Sequence, residues 1–185
     1  MRWEALFADL EAQADALVGA ERDIEIEERT RANIAQLSML DRFRPAAGLI
    51  VNLRCLGGAT VAGRVQHVNP ECLLIAEASG REAVVALAMV TAVSGLSRLS
   101  AVPDTMGQVE SRLGLRHALR GIARDRSALR AHLTDGTVVD GTLDRVGNDF
   151  VEIALHAPGE IRRRRDVREL LVVAIGAIAV MRRDS

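Results

Sequence analysis

The chain has 185 residues and a mass of 20.0 kDa, with 49% hydrophobic and 26% charged residues. This size allows one large or two small globular domains and excludes a large barrel enzyme, and the composition differs from that of a disordered chain. The longest apolar run, residues 170–181, is well short of the roughly 20 residues that span a bilayer. We therefore expect no membrane segment. The chain begins Met1-Arg2-Trp3-Glu4 and stays acidic, without the basic start and apolar centre of a secretory signal, which predicts a cytoplasmic location.

Charge is distributed unevenly although the formal net charge is only −1. All 24 basic residues are arginine and tyrosine is absent, a bias typical of the coding sequence of a high-GC bacterium. Residues 1–104 carry a net charge of −4 and residues 105–185 a net charge of +3. The basic half indicates a phosphate-bearing partner. The alternative is that these charges form the solvated faces of an ordinary domain.

Residues 1–28 predict an acidic amphipathic helix or arm. Its apolar stripe consists of Trp3, Leu6, Phe7 and Leu10. Such a stripe predicts a surface that binds a protein partner or another copy of the chain. A second helix is expected to begin with Thr30 as its N-cap and to end before Pro45.

An internal repeat is the most informative pattern in the sequence. An alignment of the chain with itself that pairs Gly58 with Gly136 also pairs Gly63 with Gly141, and it needs no gap over residues 51–80. Beyond that range the second copy contains an insertion, which falls around residues 156–168. Each copy predicts a helix followed by five short strands, because alternating apolar residues flank turn dipeptides such as Asp135-Gly136. Glycine in the middle of a strand predicts a sharp bend or a close approach of another backbone.

These patterns divide the chain into four parts. The predicted organisation is an acidic arm over residues 1–28, a first β unit with its leading helix over 29–96, a linker over 97–108, and a second β unit with its leading helix over 109–185.

The second copy also contains a recognisable combination of segments. Leu133-Thr134-Asp135-Gly136, then Gly141-Thr142-Leu143 and Asn148-Asp149-Phe150-Val151-Glu152-Ile153, resemble the first signature of Sm and Sm-like (LSm) proteins. The resemblance implies a mainly β fold with helices, in which two tandem Sm-like five-stranded bent barrels, each preceded by a helix, follow the N-terminal helix. It also implies subunits that join edge to edge in rings, with RNA as the usual ligand.

The RNA-binding residues of that family are altered in this chain. Where the family has an acid, an amide and an Arg-Gly pair, the matching positions are Asn148, Glu152 and Ile175-Gly176, and only Gly176 is retained. The resemblance therefore supports the small β-barrel and carries over no base-binding pocket.

Two groups of arginines are the candidate nucleic-acid contacts. The first lies in the insertion and comprises Arg162, Arg163, Arg164, Arg165 and Arg168; the second forms a helical stripe of Arg112, Arg116, Arg120 and Arg124. Such groups bind phosphates in a salt-dependent way. Phe150 is the only aromatic residue in the basic half, so stacking on bases is not expected. Alternatively, the run Arg162–Arg165 lies in a solvated loop or forms ion pairs with the acidic residues 21–28.

No pattern predicts catalysis, a metal or a cofactor. Cys55, His67 and Cys72 lack the spacing of a zinc site, and the two cysteines more simply predict buried thiols. The sequence also lacks a phosphate-binding glycine loop, a zinc-protease signature and a nucleophile elbow. We therefore expect a non-enzymatic, nucleic-acid-associated or regulatory binding module that contacts the backbone of RNA or DNA. The alternative is a protein-interaction or oligomerisation scaffold that uses the barrel edges and the first helix.

Overall fold

The computed structural model describes residues 2–101, 114–156 and 169–183, and the chain forms two units, Met1–Ser38 and Met39–Ser185. The first unit contains a single long helix, α1 (Arg2–Ala35). The prediction of an N-cap at Thr30 is wrong, because Thr30 lies inside α1 and its hydroxyl donates to the carbonyl oxygen of Ile26 at 2.7 Å. Around Thr30 the sequence has neither glycine nor proline, and ion pairs at i, i+4 spacing, such as Arg29–Glu25 at 2.7 Å, favour a continuous helix.

In the part of the chain that the structure describes, the second unit is mainly β with two α-helices, which confirms the predicted fold class at this level. Its helices are α2 (Met39–Phe43) and α3 (Leu115–Asp125). Its strands are β1 (Ile50–Cys55), β2 (Thr60–Val68), β3 (Cys72–Glu77), β4 (Glu82–Ala86), β5 (Val90–Ser94), β6 (Ala128–Leu133), β7 (Val138–Val146), β8 (Phe150–Leu155), β9 (Glu169–Ala174) and β10 (Ile178–Arg183).

The ten strands form one open antiparallel sheet in the order β5-β1-β2-β3-β4-β10-β6-β7-β8-β9. We call β1–β5 the first half of the sheet and β6–β10 the second half. Each half has the same internal order, with its last strand beside its first. The registers also repeat, since Ile50 pairs with Arg64 in the first half and their equivalents in the repeat, Ala128 and Thr142, pair in the second.

The glycines that define the repeat have the predicted structural role. A β-carbon on Gly63 would collide with the carbonyl oxygen of Ala76, and one on Gly141 would collide with that of Ala154. In both halves the next strand passes too close for a side chain. Just beyond each glycine the register of the pairing shifts, and the shift falls at equivalent positions of the two halves. Such irregularities increase the local bend of a strand, so both halves curve at equivalent positions.

The apolar interior consists of two clusters that exchange residues between the halves. The first core surrounds Phe43 and Leu53 and includes Ala179 and Val180 from β10, the last strand of the second half. The second core surrounds Leu119 and also includes Cys72 and Ala86 from β3 and β4 of the first half. Neither half therefore encloses its core with its own residues alone.

The first part of the predicted linker packs against α2. Arg42 donates to the carbonyl oxygens of Ser97 at 2.6 Å and Arg98 at 2.8 Å, and the amide of Ala101 donates to the carbonyl oxygen of Asp41 at 2.8 Å. Residues 97–101 are therefore fixed by hydrogen bonds to the helix. The remainder of the linker prediction lies outside the described residues.

Candidate functional site

The structure describes part of the two predicted interaction surfaces. The loop arginines Arg162, Arg163, Arg164, Arg165 and Arg168, and also Arg112, lie outside the described residues. The remaining members of the helical stripe, Arg116, Arg120 and Arg124, are exposed on α3. The opposite side of α3 is buried through Leu115 and Leu119. In the separate N-terminal unit, the predicted docking residues Trp3, Leu6, Phe7 and Leu10 are exposed on α1.

The two halves of the sheet join where β4 pairs with β10. Val85 lies opposite Val180, Val84 opposite Met181 and Ala83 opposite Arg182. We call this pairing the junction. The sequence repeat did not predict it, because edge-to-edge pairing between the copies leaves no trace in local periodicity.

An ion pair connects the halves across the junction. Nε of Arg182 on β10 donates to both carboxylate oxygens of Glu77 on β3 at 3.1 Å, and its Nη2 donates to the backbone oxygen of Thr60. The side chains of Arg182 and Glu77 are each only 14% exposed. A largely buried charge pair is strongly coupled, since removal of one partner leaves the other charge without compensation.

A cavity of about 430 Å³ opens at one end of the junction. Turns from both halves and the start of α3 line it with Pro70, Glu71, Ala86, Ala88, Met89, Leu115, Arg116, Asn148, Asp149, Ile175 and Gly176. Asn148, Ile175 and Gly176, three of the four positions that the sequence analysis compared with RNA-binding positions of Sm-like proteins, therefore line the same cavity. The fourth, Glu152, is not among the lining residues and lies 3.6 Å from Nε of Arg145.

Two polar contacts organise this cavity. Nη1 of Arg116 donates to the side-chain oxygen of Asn148 at 2.7 Å. A carboxylate oxygen of Glu71, from the first half, accepts the amide of Leu115 at 2.7 Å at the start of α3. A β-carbon on Gly114 would collide with that carboxylate in its present position, so a side chain there would require Glu71 to shift. Glu71 thus accepts a hydrogen bond from a first-turn amide that the helix itself leaves without a partner. Sequence analysis missed the contact between Glu71 and Leu115 because the two residues are 44 positions apart in the chain.

The two end strands of the sheet each have one neighbour among the described strands. β5 pairs with β1 and β9 pairs with β8. On β9, Leu170 is 48% and Val172 59% exposed. An edge with exposed aliphatic side chains presents unpaired backbone groups that can pair with another chain.

The cysteines and His67 do not form a site in the structure. Cys55 and Cys72 are buried free thiols in the first and second core respectively, which confirms the prediction of buried thiols. Burial is the main reason that the pKa of both thiols is raised above the ordinary value. His67 is exposed on β2, apart from both cores. Across the described ranges, no group of three or more His, Cys, Asp or Glu residues is placed to hold a metal ion.

Comparison with known proteins gives no family assignment. No protein-family model matches the chain, and no curated protein is significantly similar to it. Among the helices that the structure describes, none combines the length and the apolar character needed to cross a membrane.

Proposed function

We propose that the protein is a non-enzymatic assembly scaffold whose copies join head to tail, with β9 of one copy pairing with β5 of the next. The observation that carries the proposal is the junction within the chain. There, β4 already pairs with β10. By the repeat, β9 is the equivalent of β4, and β5 is the equivalent of β10. The two outer edges are thus the same kinds of strand that bind each other inside the molecule.

The junction also supplies a register for pairing between copies. The repeat relates Val84 to Val172 and Met181 to Val93. Because Val84 lies opposite Met181, Val172 of one copy is expected opposite Val93 of the next. The equivalence is independently supported, since Val93 pairs with Leu53 in the first half just as Met181 pairs with Ala131 in the second.

A cross-linking experiment tests this register. A chain with Val172→Cys is mixed with a chain with Val93→Cys under mild oxidation, and covalent dimers are counted by mass spectrometry. The native cysteines are buried and should not compete. The matched control replaces Val93→Cys by Ala92→Cys, because a shift of one residue turns the side chain to the other face of the sheet.

Size measurements test the assembly itself. Light scattering over a range of protein concentrations should show species larger than the monomer, and Val172→Lys should shift them towards the monomer, since a charged edge disfavours pairing. Val138→Lys makes the same change at an exposed valine on β7, a strand inside the sheet, and should leave the assembly intact. A monomer at every concentration, with no more cross-linking than in the control, would overturn the proposal.

The resemblance to Sm-like proteins supports the same conclusion. In the proposed assembly each half acts as one Sm-like bent barrel, so one chain supplies two tandem subunits of an edge-paired series. Two free cysteines are consistent with the reducing conditions of the cytoplasm, where we place the protein.

Nucleic-acid binding is the second candidate function. It is favoured by the exposed arginines of α3, because Arg116 borders the junction cavity and Arg120 and Arg124 continue the stripe along the helix. In this proposal the arginines contact the phosphate backbone, and the run Arg162–Arg165 remains a predicted part of the same surface. RNA or DNA would then be the partner of the assembled scaffold.

Binding to fluorescent single-stranded RNA and duplex DNA at low and physiological salt tests this candidate. If phosphate contacts carry the affinity, replacing Arg116, Arg120 and Arg124 by alanine should weaken binding and flatten its salt dependence, and replacing Arg162, Arg163, Arg164 and Arg165 should do the same. If neither polymer binds the wild-type protein at low salt, this candidate is wrong.

A further inference from the structure

The apolar stripe of α1 continues beyond the predicted docking residues. Apolar residues recur along the helix at intervals of seven, at Trp3, Leu10, Leu17 and Ile24. Residues seven apart fall on one line of a helix, and such a line is the seam along which a second helix packs in a coiled coil. We call this line the seam. In heptad terms its four residues occupy position a, and Leu6 occupies a position d beside them.

The part of the seam with described side chains is open to solvent. Trp3 is 73%, Leu6 47% and Leu10 51% exposed. Phe7, at the neighbouring position e, is 61% exposed. Single exposed apolar residues are ordinary, but these four have the i, i+3, i+4, i+7 spacing by which a helix presents one face to a partner. Tryptophan is also among the residues that contribute most to binding at protein interfaces.

The charged residues beside the seam are mostly acidic. Positions e and g border the seam of a coiled coil and set the choice of partner. In α1 the charged residues at these positions are Arg2, Asp9, Glu21, Asp23 and Glu28. Arg22 and Arg29 fall instead at position f, on the side of the helix away from the seam, and Arg29 donates to Glu25 at 2.7 Å. Beyond Arg2, every charge that borders the seam is therefore negative.

These charges disfavour a second copy of α1 on the seam. In a parallel pair, position g of one helix faces position e of the next heptad in the other, so Asp23 would face Glu28. In an antiparallel pair, equivalent positions face each other, and acids would again meet acids. Like charges at these positions are a means by which coiled coils exclude wrong partners. A helix with basic flanks would turn the same contacts into attractions.

We propose that α1 is a docking helix for a basic amphipathic helix of another protein. The apolar stripe of the partner packs on the seam, and its lysine or arginine side chains pair with the flanking acids. The seam supplies the apolar contact, and the acids select the sign of the partner's charge. With 34 residues, α1 is about 51 Å long, which is enough for four heptads. The proposal is independent of pairing between copies through β5 and β9, which belong to the other unit.

Tryptophan fluorescence of the full chain tests the proposal, because Trp3 is the only tryptophan and lies in the seam. The probe is a synthetic four-heptad peptide with isoleucine at a, leucine at d and lysine at e and g. The control peptide has glutamate at e and g. Addition of the lysine peptide should shift the emission of Trp3 to shorter wavelength, and binding should weaken as salt is added. The glutamate peptide should leave the emission unchanged.

Two matched pairs of variants locate the contact. Leu10→Ala removes a seam residue and should weaken binding of the lysine peptide at least about tenfold, whereas Ile26→Ala, at position c away from the seam, should bind as the wild type does. Glu28→Lys reverses a flanking charge and should weaken binding. Glu11→Lys makes the same change at position b and should have a smaller effect. All four side chains are exposed, so these variants alter the surface and leave the fold intact.

The same emission identifies the other occupants of the seam. A shift that grows with protein concentration in the absence of peptide assigns the seam to a second copy, and a shift on addition of phosphatidylcholine vesicles assigns it to lipid; either result overturns the proposal. Repeating the dilution in Val172→Lys keeps the first result separate from pairing through the sheet edges. An emission typical of a buried indole at the lowest concentration also overturns it, since the chain itself would then cover the seam. If the lysine peptide binds no better than the glutamate peptide, or binds Ile26→Ala as weakly as Leu10→Ala, the proposal is wrong.

Discussion

The ion pair between Glu77 and Arg182 is a largely buried contact between the two halves, and its removal makes a quantitative prediction. Both side chains are 14% exposed, so replacing Arg182→Met leaves the carboxylate of Glu77 buried without its partner. Breaking such a pair costs about 3 kcal/mol, the lower end of the range for buried pairs, because some solvent still reaches both groups. For a protein of this size, that loss lowers the melting temperature by about 6–12 °C.

The adjacent residue provides a matched control. Arg183 on the same strand lies 3.6 Å from Asp125, with side chains 48% and 56% exposed. An exposed pair of this kind contributes less than about 1 kcal/mol, so Arg183→Met should barely change the melting temperature. Thermal unfolding followed by circular dichroism distinguishes the two cases.

The double variant separates a missing partner from a damaged fold. In Glu77→Met with Arg182→Met, the pair is replaced by two apolar side chains, so most of the stability lost in Arg182→Met should return. If Arg182→Met costs no more than Arg183→Met, or if the double variant is less stable than Arg182→Met alone, the assignment of a coupled pair across the junction is refuted.

Three further predictions concern single groups. Native Cys55 and Cys72 should not react with the thiol reagent DTNB, since burial keeps them protonated and inaccessible, and both should react after unfolding in guanidinium chloride. Glu71→Ala should lower the melting temperature by roughly 2–4 °C through loss of about 1 kcal/mol at the start of α3, whereas the exposed equivalent Asp149→Ala should have a smaller effect. Because the pKa of His132 is lowered in the folded chain, the unfolded chain binds a proton at higher pH than the folded chain. The contribution of His132 to stability is therefore complete above pH 6.5 and decreases as the pH falls below it. Urea unfolding at pH values above and below 6.5 should show a smaller loss of unfolding free energy at the lower pH in His132→Gln than in the wild type.

The strands were predictable because their signals are local. Alternating apolar residues beside Asp135-Gly136 predicted a hairpin, and the structure has a turn there between β6 and β7. The glycines at 63 and 141 predicted close backbone approach, which the structure also contains. The N-cap at Thr30 was wrong because a threonine inside a helix can donate to the preceding turn instead of capping a new one.

The contacts between the halves were not predictable from local patterns. Glu77 and Arg182 are 105 residues apart, and neither stands in a pattern that indicates a charged partner. Such pairs depend on which edges of the sheet meet, and periodicity within a strand carries no information about that choice.

The repeat also shows how the inner junction differs from the outer edges. The positions equivalent to Glu77 and Arg182 are Leu155 and Ser94, so pairing between copies would lack the ion pair that joins the halves within the chain. The inner junction additionally shares its cores, with Val180 in the first and Ala86 in the second. The halves should therefore unfold together, whereas contacts between copies should dissociate without unfolding either partner. Dilution should separate the assembly into folded chains before denaturant separates the halves, because the inner junction alone combines backbone pairing with an exchanged core and a buried ion pair.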